Sequence, residues 1–291
     1  MYKQIKANKR NSFFLIFFFI AFIVLLGYII GYTQGNIYTW VVIAFIISII
    51  YTLVAFFSGD KIALTTAGAR QIKHDDNEYV FHLVENLCIT AGIPMPKVYL
   101  IPDSNINAFA TGRDPKNASI ALTIGAIEKL EKTELEGVVA HELSHVKNYD
   151  IRYMVLISVL AAAAVLIARM GFWSGRGRRG KNSGGNALAI IGLVLMIVTP
   201  IIAQIIKLAI SRQREYLADS SAALLTRYPA GLASALEKIK IDSGKIEKAN
   251  EATAHLYISS PFGSVTKGMS KMFSTHPPID DRIKKLRTMG N

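Results

Sequence analysis

The sequence predicts an α+β fold that is mainly helical, with four hydrophobic membrane helices and a further domain that contains a small β-sheet. Hydrophobic residues make up 51% of the 291 residues. Most of them lie in four runs of about 20 residues, the length at which a helix crosses a bilayer. Strand-like segments separated by turn residues occur between residues 97 and 124, and the flanking soluble stretches carry helix signals.

The first two apolar runs extend from Phe13 to Tyr32 and from Ile37 to Phe57, with a short uncharged turn between them. The first run is longer than the apolar core of a signal peptide, and no cleavage-site pattern follows it. A second run comes directly after it. We therefore expect an uncleaved membrane hairpin of two helices at residues 1–57.

A second pair of apolar runs lies in the middle of the chain. Met154 to Trp173 is interrupted by Arg169, and Ala187 to Ile206 contains Pro200. The loop between them, residues 174–186, is rich in glycine and arginine, which predicts a flexible segment. An exposed loop of this kind is vulnerable to proteolysis.

These runs divide the chain into four parts. The membrane hairpins occupy residues 1–57 and 151–206, and water-soluble blocks occupy residues 58–150 and 207–291. The single cysteine, Cys88, rules out a disulfide framework within the chain and suits a reducing compartment.

The net charge of +12 is concentrated beside the membrane runs. The basic residues there fit anionic headgroups and topology signals, and no nucleic-acid-binding motif accompanies them. They place the N-terminus and both soluble blocks on the cytoplasmic side of a bacterial-type plasma membrane, as a multi-pass protein. If both later runs cross, the basic loop lies outside, against this bias; either it is an exception or those runs do not cross fully.

Local signals in the first soluble block predict a helix and three strands. The helix covers Glu78 to Ala91 and is stopped by a glycine and a proline. The strands are expected at Lys97–Ile101, Ala108–Thr111 and Ala118–Ile124, with the last two paired as a hairpin across a turn-rich segment.

The pattern His141-Glu142-Leu143-Ser144-His145 is the strongest chemical signal. Thr133 and Glu136 have capping-box spacing, so a helix is expected to begin after Lys132. Two histidines four apart on that helix share one face and can bind one zinc ion. Glu142 can then act as a general base on water at the metal.

A third zinc ligand is expected farther along the chain. Glu215 and Asp219 lie four apart on a predicted helix, so Glu215 can bind zinc while Asp219 accepts a hydrogen bond from a ligand histidine. The alternative for Glu215 is a helical salt bridge with Arg212 or Arg214. For Asp219 the alternative is a solvated charge.

These motifs resemble the M48 metallopeptidases, which belong to the gluzincin group, and the membrane layout is most similar to the HtpX-type branch. Further blocks that resemble the family are Asn107 to Gly112 and Phe273 to Pro278. The resemblance implies a gluzincin-type protease domain, one Zn²⁺ per chain held by His141, His145 and Glu215, and a role in membrane protein quality control. It also offers His276 and Asn107 as transition-state or substrate contacts, although each is equally well explained as a turn residue.

The expected function is therefore an integral membrane zinc endopeptidase that acts on polypeptides, including membrane proteins, beside the lipid bilayer. The predicted strand at residues 108–111 could pair with an extended substrate. The competing class is a non-catalytic membrane protein, either a zinc-stabilised scaffold or a transporter. A transporter is disfavoured because ionisable residues lie only near the ends of the spans, and a scaffold has no need of Glu142.

Overall fold

The structure is a computed structural model that describes residues 2–160, 162–163, 212–242, 244–249, 253–262 and 277–290. Its first feature is a pair of long helices, α1 (Tyr2–Gln34) and α2 (Ile37–Thr66), which pack along each other. Both are long and apolar enough to cross a membrane. A methyl group at Gly27 would collide with Ala44 on α2, so this glycine permits the close approach of the two helices.

The sequence predicts four membrane helices. The described residues contain two helices that could cross a membrane, α1 and α2, rather than four. The third predicted run is described only as far as residue 163, where residues 150–160 form helix α6. The fourth run and the basic loop at residues 174–186 lie outside the described residues. Helix α2 also continues past Phe57 to Thr66, so the boundary predicted at residue 57 falls inside a continuous helix.

The sheet is small and mixed. Its strands are β1 (Arg70–Gln71), β2 (Lys97–Ile101), β3 (Ala108–Asp114) and β4 (Asn117–Thr123). They lie in the order β1–β2–β4–β3, in which β2 pairs parallel with β4 and the other two pairings are antiparallel. The predicted hairpin is confirmed, but β3 runs on through the first half of the predicted turn, to Asp114, with a bulge between Gly112 and Asp114. Gly112 has a φ of +139°, which favours glycine.

Helices surround the sheet. Besides α1, α2 and α6 they are α3 (Glu78–Ala91), α4 (Ile124–Lys129), α5 (Lys132–Lys147), α7 (Arg212–Thr226), α8 (Pro229–Ile241) and α9 (Ile279–Met289). Helix α5 carries the His-Glu-x-x-His sequence and contacts β3, α3, α7 and α8. The chain is thus mainly helical with a small sheet, as predicted.

The start of α5 is placed correctly by the sequence, but the residues proposed to cap it are wrong. The cap is Glu131, whose backbone N–H donates to the Glu134 carboxylate at 2.8 Å. Thr133 instead lies inside the first turn. The observed capping pair, Glu131 and Glu134, has the same spacing two residues earlier. Nζ of Lys238 forms an ion pair with the Glu134 carboxylate at 2.7 Å. A distant lysine on α8 therefore helps to set where the helix begins.

Candidate active site

Three side chains from two helices converge in the protein interior. His141 and His145 lie on α5 and Glu215 on α7, and one ligand atom from each lies within 4.8 Å of the others. The Nε2 atoms of the two histidines are 3.2 Å apart. The Glu215 carboxylate oxygens lie 3.8 Å from Nε2 of His141 and 3.6 Å from Nε2 of His145. Two imidazoles and one carboxylate form a donor set that suits zinc.

The outer nitrogen of each histidine contacts a different carboxylate. Nδ1 of His141 lies 3.0 Å from Asp219, as the helical spacing predicted. Nδ1 of His145 lies 3.0 Å from Asp150, a residue at the start of α6. Each carboxylate favours the tautomer with the proton on Nδ1, so both Nε2 lone pairs face the centre of the cluster.

The charge balance of the site favours a bound cation. Four carboxylates are almost fully buried around the cluster, and Arg282 is the one buried guanidinium among the described residues. The carboxylates belong to Glu142, Asp150, Glu215 and Asp219. Although burial alone would lower it, Asp150 and Glu215 raise the pKa of His145 to about 9. Burial lowers the pKa of His141, the other histidine of the pair. The excess of carboxylates around the cluster therefore favours a divalent metal over protonation of both histidines.

Glu142 lies beside the cluster on α5 and is 2% exposed. Burial, aided by the nearby charge of Glu215, raises its pKa to about 7. The charge of His145 and a hydrogen bond from the backbone of Ala110 on β3 oppose this shift. A carboxyl group with a pKa near neutrality can both accept and release a proton at physiological pH.

Arg282 on α9 was not identified from the sequence, although it is 1% exposed and lies against the site. Its guanidinium donates two hydrogen bonds to Asp219, at 2.9 and 2.7 Å. It also lies 3.6 Å from Glu215 and donates to the carbonyl oxygen of Ile258. Burial raises the pKa of Asp219, but Arg282 outweighs it and holds this pKa at about 2. Asp219 is therefore a charged acceptor for His141.

Asn8, near the start of α1, was also missed. It is 5% exposed, and its side-chain amide donates to Asp150 at 2.6 Å and to the backbone carbonyl of Asn148 at 3.0 Å. Arg214, the neighbour of Glu215, donates to the side-chain oxygen Oδ1 of Asn8 at 3.4 Å. The N-terminal helix is thereby connected to the carboxylate that holds His145. Only a basic, polar segment before an apolar run marks this region in the sequence.

The two residues proposed from resemblance alone have different outcomes. Asn107 is buried at the start of β3, where its amide donates to the Ser259 carbonyl at 3.2 Å and accepts from the Ala108 N–H at 3.0 Å. These contacts join β3 to the segment around residue 259. His276 lies outside the described residues, so its role stays a prediction.

Comparison with known proteins agrees with this geometry. The model of peptidase family M48 matches residues 74–290. A protease HtpX homolog of Dictyoglomus turgidum is 43% identical, over 99% of this chain and 95% of its own length. A protease HtpX homolog of Streptococcus uberis is 42% identical, over 99% of this chain and 100% of its own length.

A crystal structure of S. mikatae Ste24p has a related fold, with a TM-score of 0.53 and 20% sequence identity. The match covers 98% of this chain and 66% of that chain, so this protein spans slightly under two thirds of the length of Ste24p. At this identity the likeness concerns the fold alone. The family match, which covers most of the chain, and the full-length relatives together show that this protein belongs to peptidase family M48 and is a membrane zinc metallopeptidase.

Proposed function

We propose that His141, His145 and Glu215 hold one zinc ion and that Glu142 is the proton-transfer residue of an endopeptidase. The convergence of the two Nε2 atoms and the Glu215 carboxylate, with Glu142 buried beside them, carries this proposal. Asp219 and Asp150 would orient the two imidazoles. Asn107 and His276 are kept as candidate substrate or transition-state contacts.

The chemistry follows from the side chains around the cluster. When bound, zinc polarises the scissile carbonyl and makes water a stronger nucleophile near neutral pH. Glu142 accepts a proton from that water and delivers it to the leaving amine, for which a pKa of about 7 is well matched. Burial of the site excludes competing water, and this strengthens each of these electrostatic interactions.

The edge strand β3 is a candidate binding surface for the substrate backbone. Among the described strands it pairs only with β4, and its Ala110 backbone reaches Glu142. The carbonyl oxygen of Ala108 already accepts a hydrogen bond from Ile258 at 2.9 Å. An extended polypeptide would therefore pair with the part of β3 beyond residue 108, close to the proposed base.

The membrane helices support a site at the cytoplasmic surface of a multi-pass protein. Helix α2 runs without a break into the segment that begins the sheet, and the basic residues before the apolar part of α1 favour the cytoplasm. Such a position suits cleavage of membrane proteins and of misfolded chains beside the bilayer. Quality control of membrane proteins is the cellular role that this arrangement serves.

The decisive experiment replaces Glu142 by glutamine in the full-length protein. Glu142→Gln should keep the tightly bound zinc of the active site, while cleavage of casein falls by about 10²- to 10⁴-fold, the usual contribution of a general base. Glu136→Gln, the same change on the same helix, is the control and should remain active. Undiminished proteolysis in Glu142→Gln would refute the proposal.

The ligand assignment is tested separately by Glu215→Ala. Loss of one of three protein ligands should weaken zinc binding, measured by competition with a chromophoric chelator. Normal zinc occupancy in this variant would show that the third protein ligand is a residue other than Glu215.

A further inference from the structure

A second pair of histidines lies outside the catalytic centre. His74 belongs to a short 3-10 turn, His74–Asp76, and His82 lies on α3. Their Nε2 atoms are 3.3 Å apart, although the two residues are eight positions apart in sequence. Both side chains are accessible, with 47% of the His74 side chain and 56% of the His82 side chain exposed.

This exposed pair closely reproduces the geometry of the pair in the active site. The ring centroids of His74 and His82 are 4.9 Å apart with an interplanar angle of 81°. The corresponding values for His141 and His145 are 4.8 Å and 86°, with an Nε2–Nε2 distance of 3.2 Å. Two imidazole nitrogens on one tetrahedral zinc ion are separated by about 3.3 Å, given usual Zn–N bond lengths. Both pairs match that separation.

Each exposed histidine also has a carboxylate beside its outer nitrogen. Nδ1 of His74 lies 3.3 Å from Asp75, and Nδ1 of His82 lies 3.4 Å from Glu85. The carboxylates favour the proton on Nδ1, as they do for metal-binding histidines, so both Nε2 lone pairs point into the same space. The rings of Phe81 and His74 pack in a T-shaped arrangement with their centroids 5.9 Å apart. With both protons on Nδ1, neither ring donates to the other across the 3.3 Å gap, and a cation between the two nitrogens would bind both lone pairs.

We propose that His74 and His82 form a second, peripheral site for a divalent transition-metal ion of the zinc class. Two imidazoles are the protein ligands, and water completes the coordination shell. Imidazole donors favour Cu²⁺, Ni²⁺ and Zn²⁺ over Mg²⁺ and Ca²⁺. With two protein ligands in place of three, the site binds zinc more weakly than the active site does.

The position of this peripheral site suggests what the metal would do. The turn that carries His74 lies between β1 and α3, on the segment that leads from membrane helix α2 into the protease domain. A metal bridging His74 and His82 would clamp this turn against α3. Its occupancy would therefore stiffen the connection between the membrane anchor and the core, and the site would respond to the free zinc concentration.

The test measures zinc stoichiometry and affinity in the full-length protein in detergent, by competition with a chromophoric chelator. The parent protein should bind one tight and one weaker equivalent of zinc. His82→Ala and His74→Ala should each lose the weaker equivalent, with at least about a tenfold fall in its affinity, and should keep the tight one. Asn86→Ala, an exposed change on the same helix, is the control and should keep both. Retention of the tight equivalent also shows that each variant is folded.

A second readout identifies the donors directly. Cu²⁺ added to the zinc-loaded protein should give an electron paramagnetic resonance spectrum with nitrogen coupling from two imidazoles, and this signal should disappear in His74→Ala. Two results would overturn the proposal: a parent protein with no second equivalent, or a second equivalent that is unchanged in both histidine variants.

Discussion

Arg282 supports the site indirectly. A guanidinium does not bind metal ions, and the ion pairs of Arg282 go to acidic residues of the site. Its guanidinium faces both Asp219 and Glu215, the acidic residues on α7 that face the two histidines. A buried carboxylate without a partner is costly. Arg282 therefore allows these two acids to remain charged inside the protein, which the proposed metal site requires.

Replacing Arg282 by methionine should destabilise the protein by about 3–5 kcal/mol, the usual cost of removing one partner from a buried ion pair. Arg287→Met on the same helix is the control, because Arg287 is 47% exposed and forms a surface ion pair with Glu237. That change should cost under about 1 kcal/mol. Urea unfolding of the metal-free proteins provides the comparison, and equal stability of the two variants would contradict the role given to Arg282.

At the scale of single residues, the sequence correctly predicts which side chains meet when their spacing follows the helical period. The pairs His141–His145 and Glu215–Asp219 are each four apart, and the structure brings them together. Asp150 follows the His-Glu-x-x-His helix without a partner at helical spacing, and no local pattern marks Arg282 or Asn8 individually. The side-chain partners of Arg282 and Asn8 lie many residues away in sequence, so tertiary packing determines these contacts.

Helix α5 is the element on which the site is built, and a glycine contact sets its distance from α8. A methyl group added at Gly137, one turn before His141, would lie 2.7 Å from the backbone nitrogen of Leu232 and 2.9 Å from its Cα. On the other side of the same contact, Gly231 faces the carbonyl of Thr133. The backbones of α5 and α8 are therefore in direct contact one helical turn before His141.

Gly137→Ala should destabilise the protein by about 1–3 kcal/mol, because overpacking against the backbone outweighs the gain of about 1 kcal/mol that alanine usually gives within a helix. It should also weaken zinc binding, since α5 must shift away from α8. Gly290→Ala is a suitable control, because the nearest atom to its added methyl group is 3.6 Å away. A Gly137→Ala protein with a higher unfolding midpoint than the parent would show that the contact is not tight.

Elements with a strong local signal were predicted well, and their ends were predicted less well. The helix α3, three of the four strands of the first soluble block and the helical location of the His-Glu-x-x-His sequence all agree with the structure. The fourth strand, β1, has only two residues and was not predicted. The cap of α5 was assigned to the wrong pair because Lys238, which neutralises Glu134, lies on another helix. Likewise, β3 extends beyond its predicted end because pairing with β4 continues past Gly112.

At the scale of the whole molecule, the N-terminal helix has two parts. One is an apolar run long enough to cross a membrane, and the other is a polar start that reaches the active site. Asn8 lies ahead of the apolar run of α1 and donates to Asp150, which contacts His145. The hydrogen bond spans 142 residues of sequence, so it connects the first membrane helix to the proposed zinc ligand across the fold. The membrane anchor therefore contributes to the geometry of the site as well as to its location.

Asn8→Ala should reduce zinc affinity by up to about 10-fold, because losing the direct outer partner of a metal-binding histidine usually costs about 10- to 100-fold and Asn8 acts one step farther out, through Asp150. Without the amide, Asp150 loses one of its donors and holds the His145 ring less firmly. Insertion into the membrane should be unchanged, because the substituted residue precedes the apolar run. Zinc affinity is measured by chelator competition, and Co²⁺-substituted protein should show a shifted visible spectrum.

The matched control is Asn11→Ala, the same change about one turn farther along α1, which should leave both readouts unaltered. Asn8→Gln, with the same amide on a longer side chain, should restore part of the affinity if donation to Asp150 is what matters. Equal zinc affinity in Asn8→Ala and Asn11→Ala would mean that α1 only anchors the enzyme. A deficit confined to Asn8→Ala would mean that the first membrane helix positions His145 through Asp150.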